Sequence, residues 1–196
     1  MGPDPDAALM LAFQQGDEGA FRTLYERYAR PMFAFCHHLV RDAARAEELA
    51  QDVFVNLYRA RDRYRPKARF RTFLYRVASN HCLNELRRPG PSSSRALGQD
   101  EGAADPDSLP SDAAGPEEQA RGKALESAVR KLLARLPEKQ RAALVLCRFE
   151  GLSYEEIAEV LHTTLPAVKS LVHRATVAAA EALAPFEAGS FEEALP

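Results

Sequence analysis

A segment with few large apolar side chains divides this 196-residue chain into two parts. Residues 89–120 are rich in Pro, Gly and Ser and carry seven acidic residues against one basic residue, Arg95. Such a segment cannot bury enough apolar surface to offset the entropy lost on ordering it. The sequence therefore predicts two folded domains, residues 6–88 and 117–184. A flexible acidic linker at residues 89–116 joins them, and residues 185–196 form an acidic tail.

Both domains show helical periodicity and no useful strand alternation, so we predict an all-α fold with two helical domains. A first amphipathic helix is expected over residues 21–40, bent or interrupted at Pro31. A second begins near Asp42, and its apolar stripe is Ala46, Ala50, Val53 and Leu57. A third occupies about residues 69–88 and ends before Pro89.

Positive charge is concentrated near the end of the first domain. Residues 59–88 contain ten Lys or Arg against two acidic residues, although the whole chain has a formal net charge of −2. Aromatic residues alternate with these cations. Cations neutralise phosphates and aromatic rings stack on unpaired bases, so this composition is typical of a nucleic-acid surface.

The faces of the third helix follow from its period of 3.6 residues. One side is expected to pack against the domain and consists of Phe70, Phe73, Leu74, Val77 and His81. The opposite polar side is expected to meet nucleic acid and consists of Thr72, Arg76, Ser79, Asn80 and Arg87. Of the aromatic residues, we expect Tyr75 to be better exposed than Phe73.

The second domain contains the pattern of a helix-turn-helix. Ser153 and Glu156 form a capping box before one short helix, and Thr164 is placed to cap a second helix with Pro166 in its first turn. In such a motif the second helix enters the major groove of DNA. Its exposed face is expected to comprise Pro166, Ala167, Lys169, Ser170, His173 and Arg174.

Other classes of protein find little support in this sequence. There is no run of 18 apolar residues, so we expect no membrane insertion. Three widely separated cysteines indicate a reducing cytoplasm rather than a disulfide framework. Cys36 and the two histidines after it lack a second ligand pair, so we expect no metal and no cofactor. No nucleophile or phosphate-loop motif accompanies the acidic helix near Asp42, so we do not expect an enzyme.

Together these segments resemble the extracytoplasmic-function (ECF) group of sigma factors within the sigma-70 family of bacterial RNA polymerase. The helix at residues 46–54 resembles region 2.2, residues 70–78 and 84–88 resemble regions 2.3 and 2.4, and residues 136–141 and 149–158 resemble region 4. Phe73 stands where Trp is common in the family, and His162 stands where Gly is usual in the turn.

The resemblance implies an alternative sigma factor that binds core RNA polymerase, recognises promoter −10 and −35 elements and initiates transcription. It implies docking on the polymerase clamp through Glu47, Glu48, Gln51, Asp52 and Phe54. The residues implied for the −10 element are Arg65, Lys67, Arg69, Arg71, Thr72, Phe73, Tyr75, Arg76, Asn80, Asn84, Arg87 and Arg88. Those implied for the −35 element are Thr164, Pro166, Lys169, Ser170, His173 and Arg174. Further expected contacts are the polymerase flap, for the second domain, and an anti-sigma factor.

Two alternatives from other classes remain open at this stage. A helix-turn-helix regulator could bind an operator without polymerase, although the first domain lacks the βα alternation of a receiver domain. An interaction protein could instead imitate a sigma factor and sequester its inhibitor. Loss of the basic charge in residues 59–88 would favour that second alternative, and here the charge is retained.

Overall fold

The computed structural model describes residues 4–88 and 115–186, and helices account for most of these two ranges. The first range forms α1 (Pro5–Gln14), α2 (Glu18–Val40), α3 (Ala43–Arg59) and α4 (Phe70–Arg87). The second forms α5 (Pro116–Arg135), α6 (Glu138–Arg148), α7 (Tyr154–Val160) and α8 (Leu165–Leu183). The all-α prediction is confirmed. The predicted linker, up to residue 114, and the predicted tail, from residue 187, lie outside the described residues.

Three predicted helix starts are confirmed by side-chain caps. The Asp42 carboxylate accepts a hydrogen bond from the Arg45 N–H at 2.9 Å at the start of α3. At the start of α7, Ser153 and Glu156 exchange both hydrogen bonds of a capping box. Thr164 Oγ1 accepts from the Ala167 N–H at 3.4 Å at the start of α8. Each cap satisfies an N–H group that has no partner within the helix.

Helix α2 continues through Pro31 to Val40 and is not interrupted there. Met32, Phe35 and Leu39, which follow the proline, are fully buried. Burial of a large side chain is worth about 1.5–3 kcal/mol, so these contacts offset the cost of about 3 kcal/mol for a proline inside a helix.

Each domain packs around one long helix. In the first domain, α2 packs against α1, α3 and α4. In the second, α8 packs against α5, α6 and α7. The buried apolar residues of both domains form one continuous cluster, because α4 also packs against α7 and α2 against α6. No helix in the described ranges is long and apolar enough to cross a membrane.

The carboxylate of Asp4 caps two helices at once. Its Oδ1 accepts from the Asp6 N–H at 3.0 Å at the start of α1, and its Oδ2 accepts from the Phe70 N–H at 2.7 Å at the start of α4. Arg69, the residue before α4, makes no side-chain cap of its own. Asp4 therefore holds the N-terminus of α4 in place.

We expect Asp4→Ala to lower the free energy of unfolding by about 2 kcal/mol, because each lost N-cap costs about 1 kcal/mol. The matched control is Asp17→Ala, since Asp17 caps only α2. Urea denaturation followed by circular dichroism measures both. Equal losses in the two variants would show that the Asp4 bond to α4 contributes nothing.

A bidentate ion pair between Arg45 and Glu85 joins α3 to α4. Arg45 Nε and Nη2 donate to the two carboxylate oxygens of Glu85 at 2.8 and 2.7 Å. These hydrogen bonds hold the pKa of Glu85 below its usual value, and the charge of nearby Arg88 adds to the effect. The paired carboxylate therefore stabilises the fold as long as it remains ionised.

Because the pKa of Glu85 is lowered, the stability that this ion pair contributes decreases as the pH falls. Its contribution is fully present above the unfolded pKa of a glutamate, about 4.3, and is lost as the pH falls through the lower folded pKa. We expect Glu85→Gln to be less stable than the wild type at pH 7. That difference should shrink as the pH falls from about 5 through the lowered pKa of Glu85. Exposed Glu47→Gln is the control in the same urea titrations, and a Glu85→Gln difference that does not change with pH would contradict this role.

Candidate functional site

An exposed acidic face lies on α3 beside an apolar groove. Glu47, Glu48, Gln51 and Asp52 are exposed. Phe54 is only 5% exposed, but its ring packs on Tyr25 at a centroid distance of 4.8 Å. A groove of about 350 Å³ between α2 and α3 is lined by Tyr25, Ala29, Phe33, Glu47, Ala50, Gln51 and Phe54. All five residues predicted for polymerase docking therefore lie on or beside one surface.

Part of the predicted −10 surface is open to solvent. It runs from the loop before α4 to the end of that helix and comprises Arg65, Lys67, Arg69, Asn80, Asn84, Arg87 and Arg88. Phe73 and Arg76 are half-buried, and the Arg76 guanidinium lies 5.5 Å from the centroid of the Phe73 ring. These residues present cations, amides and one aromatic ring along α4 and the loop before it.

The remaining residues of the predicted −10 surface, Arg71, Thr72 and Tyr75, contact the second domain. The Tyr75 O–H donates to Glu150 Oε2, and Arg71 Nη2 lies 3.8 Å from the same oxygen. Thr72 Oγ1 donates to Glu156 Oε1 at 3.2 Å. Burial, and then the charge of Glu150, raise the pKa of Tyr75 well above its ordinary value.

Two predictions about α4 are therefore wrong. Tyr75 is 1% exposed and is not the better-exposed aromatic residue. Thr72 and Ser79, assigned to the free polar side, are 3% and 0% exposed. The projection assumed one packed side, whereas α4 packs against α2 and α3 in its own domain and against α7 of the second domain.

The helix-turn-helix has the predicted form, and the side predicted to face DNA is open to solvent. Pro166, Lys169, His173 and Arg174 are exposed on α8, and Arg174 Nη2 donates to the half-buried Ser170 Oγ at 2.9 Å. On the opposite side Val168, Val172 and Ala175 are buried. The six residues predicted for the −35 element lie within the first three turns of one helix, counting its cap, Thr164.

His162 in the turn between α7 and α8 adopts a left-handed backbone, with φ of 48°. A side chain in this region costs roughly 1–2 kcal/mol relative to glycine. The turn therefore keeps the conformation that a glycine would provide, although a histidine occupies the position.

Several residues of these surfaces were missed from the sequence. Glu150 was not singled out, and Glu156 was identified only as part of a capping box. Tyr25 and Phe33 were not connected to the docking helix. The signal for each is a contact with a residue distant along the chain, which periodicity within one helix does not contain.

Among the described residues there is also no cluster of three His, Cys, Asp or Glu side chains that could hold a metal ion.

Comparison with known families assigns both domains to the same kind of protein. Residues 24–90 match the family described as sigma-70 region 2, and residues 126–177 match the family described as sigma-70, region 4. The RNA polymerase sigma-H factor of Pseudomonas aeruginosa is 35% identical over 184 residues, which cover 93% of this chain and 95% of that protein. The ECF RNA polymerase sigma-E factor of Haemophilus influenzae is 33% identical over 174 residues, or 87% of this chain and 90% of that protein.

The fold is shared with a solved sigma factor. The sigma factor RpoE of Bartonella quintana, solved in complex with the anti-sigma factor NepR, aligns with a TM-score of 0.59 and 22% identity. The alignment covers 84% of this chain and 96% of that one. The likeness extends over both helical domains.

Proposed function

The chain belongs to the extracytoplasmic-function group of sigma-70 RNA polymerase sigma factors, and we propose that its two domains carry separate steps of promoter recognition. It is an alternative sigma factor that directs transcription initiation by RNA polymerase. In this proposal residues 6–88 bind the polymerase and open the −10 element. Residues 117–184 bind the −35 element as duplex DNA and contact the polymerase flap.

The first domain has an acidic surface and a separate basic surface, and this separation is the main support for the proposal. The exposed carboxylates of Glu47, Glu48 and Asp52 would repel DNA but attract a basic protein surface. The groove next to them supplies apolar contact area at the side of Tyr25 and Phe54. Such a pairing of an apolar centre with a charged rim suits docking on the polymerase clamp.

The basic side suits DNA whose strands have separated. Lys67, Arg69 and Arg88 are exposed cations that can neutralise phosphates, whereas Phe73 can stack only on an unpaired base. The exposed amides of Asn80 and Asn84 offer both donors and acceptors to base edges. We assign this side to the non-template strand of the −10 element.

The second domain contributes a small recognition surface. Lys169 and Arg174 are the exposed cations on the proposed DNA-facing side of α8, and exposed His173 lies between them. A bidentate base contact is worth about 1–3 kcal/mol, so a few of them need tethering to the polymerase to give useful occupancy. Duplex recognition at the −35 element is therefore proposed to depend on the holoenzyme.

The proposal places the protein in the cytoplasm, where polymerase and promoter DNA are found, and gives it no catalytic activity of its own. An anti-sigma factor is a further proposed partner, because the Bartonella quintana sigma factor was solved in complex with one. Such a partner would act by covering the acidic face of α3 and the groove beside it, or the basic surface on α4.

Mapping of transcript starts tests the proposal. Core polymerase is incubated with sheared genomic DNA with and without the protein, and the 5′ ends of the RNA are sequenced. We expect a set of starts that requires the protein and shares one −10 and one −35 sequence. The absence of protein-dependent starts would contradict the proposal, and an effect of the protein only on starts made by another sigma factor would favour the operator-binding regulator.

A further inference from the structure

Helix α1 holds the basic loop that joins α3 to α4, residues 60–69. The half-buried side chain of Gln14 donates through Nε2 to the Arg61 carbonyl at 2.7 Å and to the Tyr64 carbonyl at 3.4 Å. The ring of the neighbouring Phe13 lies 5.6 Å from the Arg61 guanidinium. An amide and an aromatic ring of α1 therefore hold the first half of this loop.

The other end of the basic loop is held by the residue before α1. Asp4 Oδ2 accepts from the Phe70 N–H at 2.7 Å, where the loop ends and α4 begins. Between the two attachments Arg63, Arg65 and Lys67 are exposed. The N-terminal segment thus fixes both ends of the loop and leaves the cations in its middle open to solvent.

Tyr64 connects the Gln14 attachment to residues proposed to contact DNA. Its carbonyl accepts from Arg65 Nη1 at 2.8 Å as well as from Gln14. Its ring is 4% exposed and packs edge-on against the Phe73 ring at a centroid distance of 5.4 Å. A shift of Tyr64 would therefore move both a loop cation and the ring that is proposed to stack on an unpaired base.

We propose that Gln14 is a positioning residue for binding of the −10 element and acts through the carbonyls of Arg61 and Tyr64. The inference rests on the proposed function, which assigns the basic loop and Phe73 to the separated strand. Ordering a loop costs conformational entropy, and a surface that is ordered before binding avoids that cost on association. Gln14 keeps Arg65 and Phe73 in one arrangement before the strand arrives.

The test uses holoenzyme and a promoter duplex whose −10 element is held open by mismatches, so that strand binding is measured apart from DNA opening. Gln14→Met keeps the length of the side chain and removes the amide donor. The control Gln15→Met makes the same exchange at the next position, which is exposed. Fluorescence anisotropy of the labelled duplex gives the affinity at several salt concentrations, and circular dichroism shows that each variant is folded.

We expect Gln14→Met to weaken binding of the open duplex by about fivefold, which corresponds to the loss of one hydrogen bond of roughly 1 kcal/mol. The dependence of log affinity on log salt should become shallower by about 0.7 for each phosphate contact that is lost. Because Gln14 is uncharged, a change in this slope reports the displacement of loop cations. Gln15→Met should change neither quantity, and neither variant should change the affinity for core polymerase.

A double-mutant cycle identifies the group through which Gln14 acts. Arg65→Met is measured alone and together with Gln14→Met. The double variant should lose less affinity than the product of the two single losses, because the second change affects a contact that the first has already weakened.

Two results would overturn the inference. One is a Gln14→Met protein that binds the open duplex as tightly as the Gln15→Met protein. The other is a loss of affinity that leaves the salt slope unchanged and multiplies with the loss in Arg65→Met, since Gln14 would then only stabilise the fold. Failure of the proposed function gives a different result, because wild-type holoenzyme itself would then show no preference for the open promoter over a duplex with a scrambled −10 element.

Discussion

Replacing Arg76 and Asn80 by alanine should slow promoter opening by at least about tenfold and leave initial binding of holoenzyme to duplex DNA almost unchanged. The two residues are four apart on α4 and therefore lie on one side of the helix. Asn80 is exposed, and Arg76 lies over the Phe73 ring. A bidentate side-chain contact to a base is worth about 1–3 kcal/mol, and a loss of 1.4 kcal/mol is already tenfold.

The two steps are measured on the same promoter fragment. Permanganate reactivity of thymines in the −10 element reports opening, and electrophoretic mobility at low temperature reports the closed complex. Arg22→Ala, at an exposed position on α2, is the control for loss of a positive charge. Equal losses in both steps for the double variant would assign these residues to the phosphates of the duplex instead.

Reversing the charge of Glu48 and Asp52 together should weaken binding of core polymerase by at least about tenfold. Exposed ion pairs contribute about 0.2–1 kcal/mol each, and a reversed charge adds repulsion to the lost attraction. The effect should decrease in high salt, because screening weakens exposed charge pairs. Binding of a labelled protein to core, followed by fluorescence anisotropy at two salt concentrations, measures both features.

A matched double variant on the second domain separates docking from net charge. Glu155→Lys and Glu159→Lys make the same change in charge, at the same spacing of four residues, on the exposed side of α7. Glu48 pairs with Arg45 on the same helix, so circular dichroism must show that helicity is kept in the test variant. Equal losses of core affinity in the two double variants would contradict a docking role for α3.

The helices α2, α3, α4, α7 and α8, which include both segments proposed to face DNA, could be predicted from the sequence because their signals are local. Asp42, Ser153 and Thr164 cap helices within three residues of themselves, and each cap is present in the structure. The apolar stripe of α8 is a local signal of the same kind. Val168, Val172 and Ala175 recur at the period of the helix and are buried.

The contacts between the −10 surface and the second domain could not be predicted, because they join residues that are far apart in the chain. Nothing in the residues near Tyr75 indicates that Glu150 will accept its hydrogen bond 75 residues further along the chain. The cap on α4 is a similar case, since Asp4 lies 66 residues before Phe70. Long-range partners of this kind follow from packing of whole helices, which a helical projection does not include.

One comparison tests the central claim most directly, that the chain recognises a promoter only as a subunit of polymerase. The full-length protein, core polymerase and the two together are each incubated with a promoter duplex and with a duplex of scrambled −10 and −35 elements. We expect that only the combination binds the promoter selectively and makes a run-off transcript. Tight and selective binding of the duplex by the protein alone, with no transcript from the combination, would contradict it.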